Sequence, residues 1–187
     1  MKIAIFCGSS IGDNEVYSNT AKQLSKYLAL NNIDIVYGGG NVGLMGVIAS
    51  TAMQNGGKVY GVIPEDLQGK ELGHTGITEL KIVKNMHERK ATMANMADAF
   101  VALPGGIGTF EEIFEVWTWA QLGYHNKPCA FYNTNRFYDN LFSMIDNMCQ
   151  EGFMKKEYSE MLIKTSEPKE LLEKINTYNP PKVKWKN

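Results

Sequence analysis

Apolar runs of strand length alternate with amphipathic runs of helix length from one end of the chain to the other. No other feature restricts its fold as tightly. Strand-like runs read at residues 3–7, 33–37, 59–63, 80–83, 100–103, 130–132 and 161–163. Helical patterns fill the gaps at 14–30, 43–54, 86–96, 109–122 and 137–150, and again from about 167. In the first of these, Tyr17, Ala21, Leu24 and Leu28 share one helical face. Repeated strand–helix–strand units call for a parallel sheet with right-handed crossovers and helices on both faces. The expected class is therefore α/β, as one domain over 1–187 with no linker or internal repeat. A chain of this length buries roughly 70% of its unfolded surface. Ligands in such sheets bind at the carboxyl ends of the strands.

Glycine turns stand at those ends. Gly8-Ser9-Ser10 follows the first strand, Gly38-Gly39-Gly40 the second, and Pro104-Gly105-Gly106-Ile107-Gly108-Thr109-Phe110-Glu111-Glu112 the fifth. In the last of these a strand stops at a proline, glycines crowd in, and a helical pattern opens. Glycine lets the backbone approach a phosphate, and the bare N–H groups and dipole of a helix start attract one. The glutamates beside this anion pocket have two readings. Thr109 as N-cap with Glu112 three residues on is a capping box, worth on the order of 1 kcal/mol. Alternatively, a carboxylate there serves some part of a ligand that is not anionic.

Gly38, Gly40 and Gly43 spell G-x-G-x-x-G, the dinucleotide fingerprint. Here it follows the second strand, and no acidic residue closes the run at 59–63, which favours a loop shaping a smaller nucleotide pocket. No GxxxxGK[ST] loop occurs. Met86-His87-Glu88-Arg89-Lys90 places two permanent cations near a strand end, either as the polar face of a helix or as partners for an anion. His87 is a general-acid candidate or an exposed residue at a helix start. Trp117, Trp119 and Tyr124 fit packing, in the core or at a subunit contact. The polar stretch between Pro64 and Gly76 has the length of a functional or disordered loop.

A formal net charge of -1 argues against a nucleic-acid coat or a surface drawn to anionic membranes. The basic run Lys182-Val183-Lys184-Trp185-Lys186 follows Pro180-Pro181 and reads as a solvated tail. Cys7, Cys129 and Cys149 form no CxxC pair and leave an odd count, which suits a reducing compartment. The histidines show no metal-ligand spacing. Met1 leads straight into a strand rather than a signal peptide, and no apolar run approaches the ~20 residues of a membrane span. A cytoplasmic protein is expected.

Met86-His87-x-Arg89-Lys90 followed by Pro104-Gly105-Gly106-x-Gly108-Thr109-x-Glu111-Glu112 resembles the paired signature of the Lonely guy family. These are cytokinin-activating phosphoribohydrolases, long mislabelled as lysine decarboxylases. The likeness extends to Phe6-Cys7-Gly8-Ser9-Ser10, to Tyr37-Gly38-Gly39-Gly40 and to Thr118-Trp119-Ala120-Gln121-Leu122-Gly123. It covers nearly the whole chain and is least diagnostic beyond Glu151. The resemblance implies a Rossmann-like three-layer fold, a homodimer, and no metal or organic cofactor. It also implies hydrolysis of the N-glycosidic bond of N6-modified adenosine 5'-monophosphates, and often of AMP, to free base and ribose 5-phosphate.

Carried over by motif position, Arg89 and Glu112 are the catalytic pair. Substrate contacts then fall to Glu71, Arg89, Lys90, Gly105, Gly106, Ile107, Gly108, Thr109, Phe110, Glu111, Glu112 and Thr118, with Glu71 placed only by its position in the long loop. Such a substrate accounts for glutamates beside a phosphate pocket, because its sugar becomes cationic as the bond breaks. Two rivals remain at this stage. One is a nucleotide-binding or carrier protein without turnover. The other is a lysine decarboxylase, which needs a pyridoxal phosphate lysine that no sequence context here supplies.

Overall fold

The computed structural model describes residues 1–69 and 73–182. Seven strands form one parallel sheet: β1 (Lys2–Phe6), β2 (Asp34–Tyr37), β3 (Val59–Pro64), β4 (Glu79–Val83), β5 (Ala99–Ala102), β6 (Cys129–Tyr132) and β7 (Ile163–Thr165). Their spatial order is β4-β3-β2-β1-β5-β6-β7. Ile3 of β1 pairs with Ile35 of β2 on one side and with Ala99 of β5 on the other. The chain thus winds outward from β1 to β4 and then returns to the far side of β1. That reversal opens a crevice above the carboxyl ends of β1 and β5, the switch point where α/β sheets bind ligands.

Helices cover both faces, as the alternation requires. Helices α1 (Glu15–Leu30), α2 (Gly43–Gln54) and α8 (Pro168–Asn176) bury Leu24, Leu28, Ile48 and Leu171 against Ile3, Ile5 and Ile35. On the opposite face, α4 (Met86–Met96), α5 (Ile107–Leu122), α6 (Asp139–Gln150) and the short α7 (Lys156–Glu160) pack Met93, Ile113, Trp117 and Ile145 onto Ala4, Phe100 and Phe131. Strands buried on both faces carry unbroken apolar runs, which is why these segments read so clearly.

Several boundaries depart from the sequence reading. The last strand is Ile163–Thr165 rather than 161–163, because Met161 and Leu162 are buried where α7 turns into it. A short apolar run does not separate those cases by periodicity. The sixth helix starts two residues late, after a 3-10 turn in which Asn135 and Arg136 take φ of 50° and 60°. The loop after Pro64 holds a single helical turn, α3 (Glu65–Gln68). Most consequential, α5 begins at Ile107 with Gly106 as its N-cap and no side-chain capping bond. Thr109 is therefore inside the helix, and the Thr109–Glu112 capping box does not exist. A reciprocal cap does form one helix earlier: Asn85 Oδ1 accepts from the Glu88 N–H at 3.0 Å, and Glu88 Oε2 accepts from the Lys84 N–H at 2.9 Å.

Candidate active site

The crevice floor is built from backbone. Gly8 N–H donates to the Pro104 carbonyl at 3.1 Å, Leu103 N–H to Phe6 at 2.9 Å, and Leu44 N–H to Gly8 at 3.1 Å. These bonds tie the ends of β1 and β5 to the start of α2. Gly105 lies so close that a β-carbon there would stand 2.2 Å from Thr109 Oγ1. Gly106 and Gly108 differ, since a β-carbon on either would meet nothing within 4 Å. A glycine inside a helix costs about 0.5–1 kcal/mol relative to alanine, so no internal contact accounts for Gly108. Both glycines face open space at the start of α5. There the Thr109 and Phe110 N–H groups return to the Gly106 carbonyl at 3.1 and 3.3 Å. The Ile107 and Gly108 N–H groups, like any in a first helical turn, have no acceptor within the helix.

A cavity of about 330 Å³ opens beside this turn, lined by Cys7, Gly8, Ser9, Gly38, Met45, Leu67, Met86, Arg89, Gly106 to Thr109, Glu111 and Glu112. Arg89 is 5% exposed. Its Nη2 donates to the Gly38 carbonyl at 3.0 Å, and its Nη1 faces the Met86 sulfur at 3.7 Å. Glu112 is half-buried in the second turn of α5. Burial pushes the Cys7 thiol far above its ordinary range, the Glu112 charge pushes it further, and the Arg89 guanidinium pulls it back. Both charges therefore act on one sulfur at the cavity wall, and a thiol held neutral this way is a poor nucleophile.

The structure gathers Arg89, Gly106, Ile107, Gly108, Thr109, Glu111 and Glu112 of the expected set around this cavity. Gly105 lines an adjoining cavity of about 310 Å³, with Ser10, Tyr17, Leu44 and Phe137. Phe110 points into the core, 5.7 Å from Tyr138 by ring centroids. Lys90 turns toward α5, where its Nζ lies 2.5 Å from Glu111 Oε1 and 3.1 Å from Glu115 Oε1. Burial works against its charge, but the two carboxylates outweigh it and hold the ammonium above the ordinary lysine value. An amine held protonated in this way is ill suited to a Schiff base. Thr118 is exposed on the outer side of α5, nine residues past Thr109 and so about 13 Å further along the helix. His87 is exposed and does not line the cavity. Glu71 and the basic run beyond Lys182 lie outside the described residues.

Gly38 belongs to the glycine loop expected to shape a nucleotide pocket, whereas sequence reasoning missed Met45, Leu67 and Met86. Met86 stands one turn before Arg89 and was within reach of a helical-spacing argument; the others come from separate segments that only the topology unites. Trp117 is core, with its indole N–H on the Tyr158 carbonyl at 3.1 Å. Among the described residues no cluster of three or more His, Cys, Asp or Glu is arranged to hold a metal ion. No described helix is long and apolar enough to cross a membrane.

Comparison with known proteins adds the family. Residues 45–175 match the model of a family described as "Possible lysine decarboxylase". A probable cytokinin riboside 5'-monophosphate phosphoribohydrolase of Oryza sativa subsp. japonica is 46% identical, over 98% of this chain and 78% of its own. A cytokinin riboside 5'-monophosphate phosphoribohydrolase of Arabidopsis thaliana is 45% identical, over 96% of this chain and 83% of its own. Among solved structures, a molybdenum cofactor binding protein from Rippkaea orientalis superimposes with a TM-score of 0.69 at 19% identity, over 94% of this chain and 95% of its own. The molybdenum cofactor carrier protein of Chlamydomonas reinhardtii gives 0.69 at 16%, over 95% of this chain and 96% of its own. Those two likenesses speak to the Rossmann-like fold alone. With relatives this similar over nearly its whole length, the chain belongs to the Lonely guy family of cytokinin riboside 5'-monophosphate phosphoribohydrolases.

Proposed function

We propose that the protein, acting as one Rossmann-like domain, hydrolyses the N-glycosidic bond of adenosine 5'-monophosphate-type nucleotides. Its substrates are N6-modified AMP such as cytokinin riboside 5'-monophosphates, and AMP itself; its products are free base and ribose 5-phosphate. One observation carries this reading: the anion-ready start of α5 and the Arg89–Glu112 charges open into the same cavity. The phosphate is held by the first-turn N–H groups of Ile107 and Gly108, where the open glycines let it approach the backbone. Glu112 faces the sugar. As the C1'–N9 bond lengthens, its carboxylate stabilises the positive charge growing on the ribose and orients the attacking water. Hydroxide from that water ends on C1', and its remaining proton ends on the departing base. Arg89 keeps Glu112 ionised and balances the negative charge gathered in the cavity.

The carrier alternative rests on neighbours of 16–19% identity, whereas the hydrolase reading rests on relatives of 43–47%. Incubation with AMP, N6-isopentenyl-AMP and adenosine, with chromatography of released base, tests it. Release from both monophosphates and far less from adenosine is expected. Tight nucleotide binding with no base released, or equal kcat/KM on adenosine and AMP, refutes it.

The same reading includes a homodimer. Thr118 is remote from its own cavity, so it reaches a substrate only in a partner's site, and α5 then lies at the subunit contact. The unpaired cysteines suit a reducing cytoplasm.

A further inference from the structure

The glycine fingerprint after β2 is not explained by the reaction, since no dinucleotide is involved. Its individual glycines show what it does. Gly43 takes a φ of +55°, and a β-carbon there would stand 2.2 Å from the Ser9 carbonyl carbon, so it permits the start of α2 to press against the loop after β1. Gly38 does something else. A β-carbon on it would stand 1.9 Å from Arg89 Nη2 and 3.1 Å from Arg89 Cζ, while its own carbonyl accepts from that Nη2 at 3.0 Å. The guanidinium therefore meets the backbone of residue 38 tip-first through Nη2, held by the acceptor and admitted by the missing side chain. The Met86 sulfur at 3.7 Å limits it from the other side.

The geometry points to Gly38 as a positioning residue for the proposed hydrolysis: it fixes the place of the Arg89 guanidinium in the cavity, and any side chain at 38 displaces it. The inference rests on the catalytic reading of Arg89. The atom that must give way in a Gly38→Ala variant is the tip of a flexible side chain, so the fold survives and the guanidinium moves. Relief of a 1.9 Å contact needs a shift of more than 1 Å, and misplacement of a reacting group by about 1 Å costs on the order of 100-fold. Phosphate capture at α5 does not pass through residue 38.

The test is a double-mutant cycle on purified, folded protein with AMP as substrate. Gly38→Ala alone should lower kcat by about 100-fold, with KM changed less than about threefold because the α5 contacts persist. It should also raise the acid limb of the kcat/KM–pH profile, since a carboxylate in the cavity loses a nearby cation. In an Arg89→Lys background, which withdraws the clashing nitrogen, the same change should cost less than about threefold, the non-additivity of groups acting as a unit. If Gly38→Ala fails to fold, recovery of the fold in Gly38→Ala/Arg89→Lys supports the contact, and failure of both overturns it. An equal Gly38→Ala penalty in both backgrounds overturns this inference while leaving the role of Arg89 intact. Undiminished turnover by Arg89→Lys and Arg89→Ala overturns the role of Arg89, and the inference with it.

Discussion

Replacing Glu112 separates a catalytic carboxylate from a helix-stabilising one, and the position of α5 sets the expected magnitudes. With Gly106 as N-cap, Glu112 is the sixth helical residue, about 9 Å along the axis from the cap. Capping and dipole effects fade within the first turn, so the side chain contributes little to helix stability from there. Glu112→Ala should then melt within about 2 °C of Glu112→Gln, which loses the same charge beside Arg89, alanine being the best helix former. Had Glu112 closed a capping box, that substitution would remove about 1 kcal/mol, or roughly 2–4 °C in a chain of this size. Glu112→Gln keeps the shape and removes the charge. Loss of one positioned electrostatic or acid–base group lowers kcat by ~100-fold or more, a barrier increase of about 2.7 kcal/mol. Calorimetry gives the first quantity and base release from AMP the second. A glutamine variant that retains more than a tenth of wild-type kcat refutes the catalytic role. An alanine variant that melts several degrees below the glutamine variant refutes the structural placement.

Lys90→Met strands the carboxylates of Glu111 and Glu115, which are half and one-quarter exposed; stability should fall by about 1–2 kcal/mol, read as a melting point lower by roughly 2–8 °C and largely recovered in Lys90→Arg. His74 and His125 both have pKa values depressed below 6.5 by burial, with Lys127 adding to the effect at His125. The unfolded chain therefore takes up protons first, so stability should fall as pH drops below about 6.5 and level off once the folded pKa is passed. Asp139 and Glu170 are depressed carboxylates whose contribution is lost only lower in pH, near and below 4.5. Melting curves between pH 7.5 and 5 should slope in wild type and flatten in His74→Gln/His125→Gln; an unchanged slope refutes the assignment. Light scattering at micromolar concentration should return about twice the 20.9 kDa chain mass, and a monomer there refutes the dimer.

The sheet was legible because buried parallel strands are continuous apolar runs between turn signals; α4 matched its predicted ends residue for residue, and α2 its start. The start of α5 was not. A threonine followed by a glutamate at N-cap spacing is a strong local pattern, but the helix had already begun at a glycine that makes no side-chain cap. The Thr109 hydroxyl instead sits close against Gly105, where a β-carbon would stand 2.2 Å from it. That Arg89 and Glu112 line one cavity was legible because each lies in a contiguous motif. The places of Met45 and Leu67 were not, since they reach the cavity from two different units. Lys90 lies beside Arg89 in the motif yet turns to Glu111 and Glu115: neighbouring residues on a helix face different ways, and packing decides which one lines the cavity.

One helix supplies both halves of the proposed chemistry. Gly108 and Glu112 are four residues apart, about 6 Å along the axis, so an anion held at the helix start places the carboxylate within the reach of one sugar ring. A binding site for a phosphate would ordinarily recruit mobile cations, yet the obvious one, Lys90, is already engaged by Glu111 and Glu115. The anion is left to fixed backbone dipoles, which need no reorganisation as the reaction proceeds. Arg89, held on Gly38, stands in the same cavity as Glu112, and the two charges act in opposite directions on the Cys7 thiol. In the ground state the sugar is neutral and gains little from Glu112. As the glycosidic bond breaks the ribose turns cationic and the attraction rises with it. Interactions that strengthen only on the way to the transition state are the ones that accelerate a reaction, which is why a carboxylate that looks misplaced beside an anion pocket is where a ribohydrolase needs it.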